Sequence, residues 1–264
     1  MRGRGGVTLF LLGLLFLAPA AALLFTAFGE GWSFPALLPE RVSLRALRFI
    51  GERIRPIALA LFSSTAYSLA TVVLALLISL LPARALARFS FPGHHLLDAL
   101  LLVPALLPSM IFSMGIHLIF LRIGLSDTYT GVILVLTVFS YPYMLRALIS
   151  GYLRIPEEYA VTARNLGASF FRMLLRVETP MLLPSIAAGG SVVFLVAFSE
   201  YFLVFLIGGG AVHSYTGYLV PFLQSSDHSI GAGLTLLFLT VPLGGFVLLE
   251  MATSHMYRKR GFSR

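Results

Sequence analysis

Six long apolar stretches constrain what this chain can fold into more than any other feature. Each stretch is close to the roughly 20 apolar residues that an α-helix needs to cross the hydrocarbon core of a bilayer. Because 58% of the residues are hydrophobic and only 11% are charged, the chain is too apolar for a soluble domain. We therefore predict an all-α, polytopic membrane protein with six transmembrane helices, at about residues 7–28, 57–81, 99–121, 128–149, 180–207 and 229–250.

The positive charges predict which side of the membrane each loop occupies. An even number of spans places both termini on one side, and the face richer in lysine and arginine is cytoplasmic as a rule. One face carries thirteen of the nineteen basic residues, and it also holds both termini. We therefore predict that both termini are cytoplasmic. The thirteen residues are Arg2, Arg4, Arg84, Arg88, Arg146, Arg154, Arg164, Arg172, Arg176, Arg258, Lys259, Arg260 and Arg264.

Two segments near the N-terminus leave alternatives open. The external loop 29–56 holds five of the six remaining arginines, which runs against the charge bias. Its apolar residues fall at helical spacing, which favours an amphipathic helix lying on the membrane surface; they are Leu44, Leu47, Ile50 and Ile54. Arg2 and Arg4 before an apolar run also resemble a signal peptide, whose cleavage would leave five spans. The run is longer than the usual apolar core of a signal peptide, so we retain the first transmembrane helix.

The chain lacks the motifs of an enzyme or of a self-powered transporter. It contains no GxxxxGK[ST] loop, no HExxH motif, and no paired-carboxylate or Ser/His/Asp set at a usable spacing. The absence of cysteine excludes disulfides, thiolate metal sites and cysteine nucleophiles. We therefore expect no catalytic residue, no metal site and no cofactor bound by this chain. We also expect no nucleic-acid partner, because the basic residues border the membrane.

A polar insert at about residues 152–178 separates the fourth and fifth spans on the predicted cytoplasmic face. Glu157 and Glu158 favour a helix N-terminus, and Leu166–Gly167 favours a helix end. The pattern predicts a short helix, a turn, and a second helix that enters the bilayer near Pro180. Such a helical lever is what a membrane domain needs if a soluble motor is to push on it. The alternative is a solvated loop whose arginines only enforce the topology.

The insert resembles the cytoplasmic loop of ABC importer permease subunits, whose pattern is E-A-A-x3-G-x9-I-x-L-P. The segment RNLGAS is closely like the family's R-x-L-G-A-S, and the residues in register are Ala163, Gly167, Val177 in place of Ile, and Pro180. Further similarity to the spermidine/putrescine-type branch covers about residues 60–250, as in LLLVPALLPSMIFSMGIHLIF and AFSEYFLVFLIGGG. The sequence departs from the pattern at Val161, Thr162 and Thr179, which stand in place of Glu, Ala and Leu.

This resemblance implies a fold, a set of partners and a solute. The fold would be the transmembrane domain of a type I ABC importer, with residues 1–264 as one permease domain that forms half of a translocation pore. The partners would be a second, homologous permease, two ATP-binding subunits that hold ATP and Mg, and an external solute-binding protein, all at a bacterial inner membrane. A polyamine is the implied solute, with ferric iron, thiamine-like compounds and phosphonates as alternatives. The implied ATPase-coupling residues are Glu157, Glu158, Val161, Ala163, Arg164, Gly167, Ala168 and Pro180.

Polar residues inside the spans are candidates for the translocation path. Glu200 lies in the fifth span, where a carboxylate is costly unless it faces a pore or a protein partner. Helical spacing places it on one face with Gly190, Val193 and Ala197, a face of mostly small residues that favours packing over lipid exposure. A cationic solute would suit this carboxylate, and a structural carboxylate near the outer interface is the alternative. The full candidate set is Glu200, Ser199, Tyr201, Ser109, Ser113 and His117.

Two other classes of protein remain open at this stage. A channel or secondary carrier without a motor would explain the spans and Glu200 but not the polar insert, and inverted repeats that would favour it are not visible. An intramembrane enzyme would need His117 and Glu200 close together. The external loop 208–228 lacks Lys and Arg, and we predict that it contacts the solute-binding protein.

Overall fold

The structure is a computed structural model that describes residues 2–30 and 41–259, most of which are helical. A two-residue antiparallel pairing joins β1 (Gly29–Glu30) to β2 (Arg41–Val42). Residues 31–40 of the predicted first external loop lie outside the described residues. The helices are α1 (Arg2–Phe28), α2 (Arg45–Glu52), α3 (Ile54–Arg88), α4 (His94–Leu106), α5 (Ser109–Arg122), α6 (Tyr129–Arg154), α7 (Glu158–Asn165), α8 (Phe170–Met173), a π-helical turn (Leu174–Glu178), α9 (Thr179–Met181), α10 (Leu183–Ser199), α11 (Phe202–Gly208), α12 (Tyr215–Leu223) and α13 (His228–Lys259).

Three helices in the described part of the chain are long and apolar enough to cross a membrane on their own. They are α3, α6 and α13, the last over His228–Gly245, and they contain or overlap the second, fourth and sixth predicted spans. Two bent pairs of helices raise the number to five if each pair is one span. The first predicted span lies within α1. The part of α1 over Leu17–Phe28 is an apolar helical stretch that is shorter than the three spanning helices.

The third predicted span is not one helix, because α4 and α5 meet at an angle of 96°. Leu107 at the junction has an extended backbone, with φ −83° and ψ 136°. The ring of the following residue, Pro108, disfavours the helical conformation for Leu107 and provides no N–H to continue the hydrogen-bond ladder. The prediction of a continuous helix over 99–121 is therefore wrong at this point.

The fifth predicted span is interrupted at two places. Leu182 separates α9 from α10, and the helical stretch Phe170–Met181 is bent by 75° relative to α10. Glu200, with φ −71° and ψ 119°, separates α10 from α11. The prediction of a continuous helix over 180–207 is therefore wrong, and Glu200 lies at a helix break rather than within a helix.

The chain divides into two compact units, the first of which comprises Met1–Leu61 and Tyr215–Val241. Its core contains residues of α3, α12 and α13, and the Tyr215 hydroxyl donates to the Leu234 carbonyl over 2.7 Å. The helix predicted in the first external loop is present as α2, and its position on the membrane surface stays a prediction. Its Ala46 is buried and its Phe49 packs against the core, while the Arg45 guanidinium pairs with the Asp227 carboxylate at 2.7 Å.

The second unit comprises Phe62–Ser214 and Pro242–Arg264, and it contains the predicted coupling and path residues. One buried cluster joins Tyr67 of α3 to residues of α5, α6, α10 and α11. A second cluster joins Ala75 of α3 to residues of α6 and α10, and it includes Leu182 at the bend before α10. The helices α3, α6 and α10 each contribute to both clusters and form the packed centre of this unit.

Small residues allow α6 and α10 to approach closely. A Cβ atom added to Gly189 of α10 would lie 2.8 Å from the Ala147 Cβ and 3.0 Å from the Met144 Sδ, both on α6. A Cβ atom added to Gly151 of α6 would lie 2.9 Å from a methyl group of Leu182 and would overlap Ser185. Neither position has room for a side chain, so the contact depends on glycine.

We expect Gly189→Ala to destabilise the protein by about 2 kcal/mol, because the added methyl group overpacks the contact between α6 and α10. Gly115→Ala in α5 is the matched control, since a Cβ there meets nothing within 4 Å and alanine is the better helix former. Thermal denaturation of the two purified variants in the same detergent measures the difference. Equal melting temperatures for both variants would show that the close approach is not needed for stability.

Candidate functional site

The helical part of the chain between α6 and α10, from the start of α7 to the end of α9 (residues 158–181), is called the elbow segment below. Its first helix, α7, ends at Asn165, and Gly167 follows with φ +82°. The Ala168 N–H donates to the Ala163 carbonyl over 3.0 Å and closes the turn. The short helix and the turn at Leu166–Gly167 are thus confirmed, because a left-handed residue directly after a helix strongly favours glycine.

The second half of the elbow segment is a nearly continuous helical stretch with a π-helical turn inside it. Pro180 follows this turn, and it has neither an N–H to donate nor room for the carbonyl of the preceding turn. A wider turn at Leu174–Glu178 accommodates the proline, and the Thr179 hydroxyl donates to the Leu174 carbonyl over 2.8 Å. The predicted second helix is therefore present, with a local irregularity that the sequence analysis did not foresee.

The elbow segment exposes large apolar side chains around its turn. Leu166 is 84% exposed and Phe171 is 69% exposed, and Val161 and Leu175 are also exposed. Among the predicted coupling residues, the exposed ones are Glu157, Glu158, Val161, Arg164 and Gly167, and the half-buried ones are Ala163, Ala168 and Pro180. The turn and the surface around it are therefore accessible within this chain.

A buried ion pair joins the elbow segment to α3. The Arg84 Nε donates to both carboxylate oxygens of Glu178, over 2.8 and 3.2 Å, and the Glu178 side chain is only 1% exposed. The Arg84 guanidinium also lies 5.4 Å from the ring centroid of Phe170. One helical turn further, Arg88 donates to the Ile155 carbonyl over 2.6 Å. The last turns of α3 are thus held against the elbow segment and the end of α6.

Sequence reasoning missed this ion pair. It assigned Arg84 and Arg88 to membrane topology and left Glu178 without a role. A signal was nevertheless available, because Glu178 is the only acidic residue between Glu158 and Glu200 and lies at the border of an apolar span. A carboxylate in that position needs a cationic partner, and Arg84 was predicted to lie on the same face of the membrane.

Glu200 lies one residue before the N-cap residue of α11, and its side chain bonds to the first turn of that helix. Its Oε1 accepts a hydrogen bond from the Leu203 N–H over 3.3 Å, at the start of α11. Beside it, the Ser199 hydroxyl is exposed and donates to the Leu195 carbonyl over 2.7 Å, while Tyr201 is half-buried and stacks on Phe205. The three adjacent path candidates therefore lie around the break between α10 and α11.

The helical face predicted to include Glu200 is only partly present. Gly190, Val193 and Ala197 are buried, in agreement with a packed face. A Cβ atom on Gly190 would lie 3.3 Å from the Val72 side chain. Because the helix ends at Ser199, however, Glu200 does not continue that face.

The remaining path candidates lie on α5. Ser109 begins the helix and is half-buried, and Ser113 is fully buried with its hydroxyl donating to the Met110 carbonyl over 2.9 Å. His117 is half-buried, and its Nδ1 has no hydrogen-bond partner within the described residues. The structure places the three residues on one helix, and their role in a path stays a prediction.

The curated proteins to which this chain is similar include permease proteins of several transport systems. The chain is 28% identical to the molybdate/tungstate transport system permease protein of Thermococcus kodakarensis, covering 72% of this chain and 76% of the relative. It is 27% identical, with the same coverage, to the protein of that description in Pyrococcus abyssi. It is 28% identical to the trehalose transport system permease protein of Mycobacterium tuberculosis, covering 72% of this chain and 71% of the relative.

The structural and family comparisons agree on the fold. A crystal structure of a bacterial ABC transporter involved in the import of the acidic polysaccharide alginate contains a chain that matches with a TM-score of 0.72 at 16% identity, covering 96% of both chains. The fold is that of a type I ABC importer transmembrane domain. Residues 75–253, more than half of the chain, match the description of a binding-protein-dependent transport system inner membrane component. This chain therefore belongs to that family, the permease subunits of ABC importers.

Proposed function

We propose that this chain forms one half of the translocation pore of an ATP-driven importer in a bacterial inner membrane. The observation that carries the proposal is the elbow segment: a helix, a turn at Gly167 and a second helix that leads into α10. Both halves of the segment are attached to the membrane helices, so a force on the turn reaches the bundle. The family of the chain supports the same role.

The exposed apolar side chains of the elbow segment fit a protein partner. Leu166 and Phe171 are more than half exposed on a segment that we propose to face the cytoplasm, and large exposed apolar side chains grouped together mark interaction surfaces. Val161 stands where the permease pattern has Glu, and it is also exposed. We infer that the contact with the ATP-binding subunit is apolar at this position rather than ionic.

The other subunits and the orientation belong to the same proposal. A second, homologous permease completes the pore, and two separate ATP-binding subunits hold ATP and Mg and hydrolyse the nucleotide. A solute-binding protein docks on the opposite face, where the loop 208–228 carries α12. Both termini lie in the cytoplasm, in accord with the thirteen basic residues on that face.

Gly167→Val should uncouple the ATP-binding subunits, because a β-branched residue with positive φ costs about 2 kcal/mol and distorts the turn. Gly167→Asn is the matched control, since asparagine adopts this conformation more readily. The measurement is the amount of ATP-binding subunit that co-purifies with the permease, together with solute uptake. Normal co-purification and uptake for the valine variant would contradict a docking role for the turn.

We propose a small oxyanion of the molybdate or tungstate type as the solute. Support comes from two of the relatives, which are named for molybdate/tungstate transport. We expected a polyamine because of the family resemblance and because Glu200 was predicted to lie within a membrane helix. The second argument is weakened, because Glu200 lies at a helix break and its Oε1 accepts a hydrogen bond from the Leu203 N–H. The relative named for trehalose makes a neutral sugar a necessary control.

Reconstitution of the complete importer with its binding protein tests the solute. We expect molybdate and tungstate to stimulate ATP hydrolysis and to be taken up, while trehalose, spermidine, ferric iron, thiamine and phosphonate are not. Stimulation of ATP hydrolysis by spermidine alone would show that the solute is a polyamine rather than an oxyanion. Uptake of any solute by the permease without ATP-binding subunits would contradict the proposal of an ATP-driven importer. It would indicate a channel or a secondary carrier instead.

Glu200→Gln separates the capping role from a role in the path of a cation. Glutamine keeps an oxygen that can accept the Leu203 N–H, so we expect normal assembly and normal uptake of the oxyanion. Glu200→Leu removes the acceptor and should lower stability by about 1 kcal/mol, the typical contribution of a helix cap. Uptake assays and melting temperatures measure both variants. Loss of uptake in a fully assembled Glu200→Gln complex would assign the carboxylate to the translocation path.

A further inference from the structure

The ion pair between Arg84 and Glu178 is placed where the elbow segment bends. Glu178 is the last residue of the π-helical turn, and its carbonyl accepts the N–H of Leu182, the residue at the break. The chain bends by 75° between Phe170–Met181 and α10. Arg84 therefore holds the elbow segment less than two helical turns from its bend.

The burial of this pair makes it a firm link. The side chains of Arg84 and Glu178 are 13% and 1% exposed, so neither charge can exchange its partner for water without moving. Removing one partner of such a pair leaves an uncompensated buried charge, which is strongly unfavourable. The Phe170 ring against the Arg84 guanidinium adds a second contact from the elbow segment to the same side chain.

A second ion pair in the same unit provides a contrast. Arg146 of α6 pairs with Asp98 of α4 at 3.1 Å, and the two side chains are 48% and 25% exposed. Exposed pairs of this kind contribute little to stability. This pair also makes no link to the elbow segment, because it joins α4 to α6.

We propose that Arg84 and Glu178 are positioning residues that make the end of α3 move together with the elbow segment when the ATP-binding subunits close. The inference rests on the proposed function and goes beyond it by naming the link between the docking segment and a membrane helix. The π-helical turn fits this role, because such turns occur frequently at functional sites in helices. Motion of the elbow segment would then reach α3 directly as well as through α10.

The test uses the reconstituted importer and a pair of substitutions that keep the site packed. Arg84→Met with Glu178→Leu removes both charges together, and such apolar replacements of buried pairs are often tolerated. Arg146→Met with Asp98→Leu is the matched control. Because this chain has no cysteine, spin labels at Leu81→Cys and Arg176→Cys report the distance between α3 and the elbow segment. Both positions are exposed, and neither belongs to the proposed docking surface.

We expect the apolar pair to retain bound ATP-binding subunits and ATP hydrolysis but to lose about tenfold in solute taken up per ATP hydrolysed, a typical coupling between sites. The label distance should be the same in the nucleotide-free and ATP-bound states of the parent protein and of the control. In the variant with Arg84→Met and Glu178→Leu, the distance between the labels should differ between the nucleotide-free and ATP-bound states. Unchanged uptake per ATP together with an unchanged distance would overturn the inference.

A variant with the two charges exchanged tests the inference if the importer with Arg84→Met and Glu178→Leu does not assemble. Arg84→Glu alone should uncouple the importer, and Arg84→Glu with Glu178→Arg should restore uptake per ATP. Failure of the exchanged pair to restore coupling in an assembled complex would also overturn the inference. Failure of the parent permease to bind any ATP-binding subunit would instead overturn the proposed function, before any variant is compared.

Discussion

The requirement that backbone N–H and C=O groups find partners inside the bilayer governs this structure. Helices satisfy that requirement residue by residue, which is why the long apolar stretches of the described chain are mostly helical. Each helix break then needs a local solution. At Leu107 the break follows from Pro108, which has no N–H to satisfy. At Glu200 the side chain supplies an acceptor to the first turn of α11.

Helix existence was predictable from the sequence because hydropathy is a local property. The ranges of α3, α6 and α13 include or overlap predicted spans, and the turn at Gly167 was predictable because positive φ favours glycine. The breaks within the third and fifth spans were harder. A proline inside an apolar stretch is compatible with a kinked helix as well as with two helices at 96°. Nothing local to the sequence marks Glu200 as a break, since its role depends on the start of α11.

The charge distribution predicted a side of the membrane for each loop, but it did not predict the partner of any charged side chain. The arginines at the end of α3 were interpreted through topology alone, yet both hold specific groups of neighbouring segments. Arg84 and Glu178 are separated by 94 positions in the chain, so only the fold brings them together. The candidate path residues show the same limit. Ser113 was predicted to be a residue of the translocation path, and in the structure its hydroxyl donates to the Met110 carbonyl of its own helix.

The close contact between α6 and α10 has a mechanical consequence. Where Gly189 lies against Ala147 and Gly151 lies against Ser185, there is no free volume through which one helix can shift past the other. The two helices therefore act as a stiff block within their unit. Within the third and fifth predicted spans, the helical ladder is interrupted at Leu107, at Leu182 and at Glu200. We therefore expect these spans to bend at those three breaks when the pore opens and closes, with α6 and α10 moving together as a rigid body.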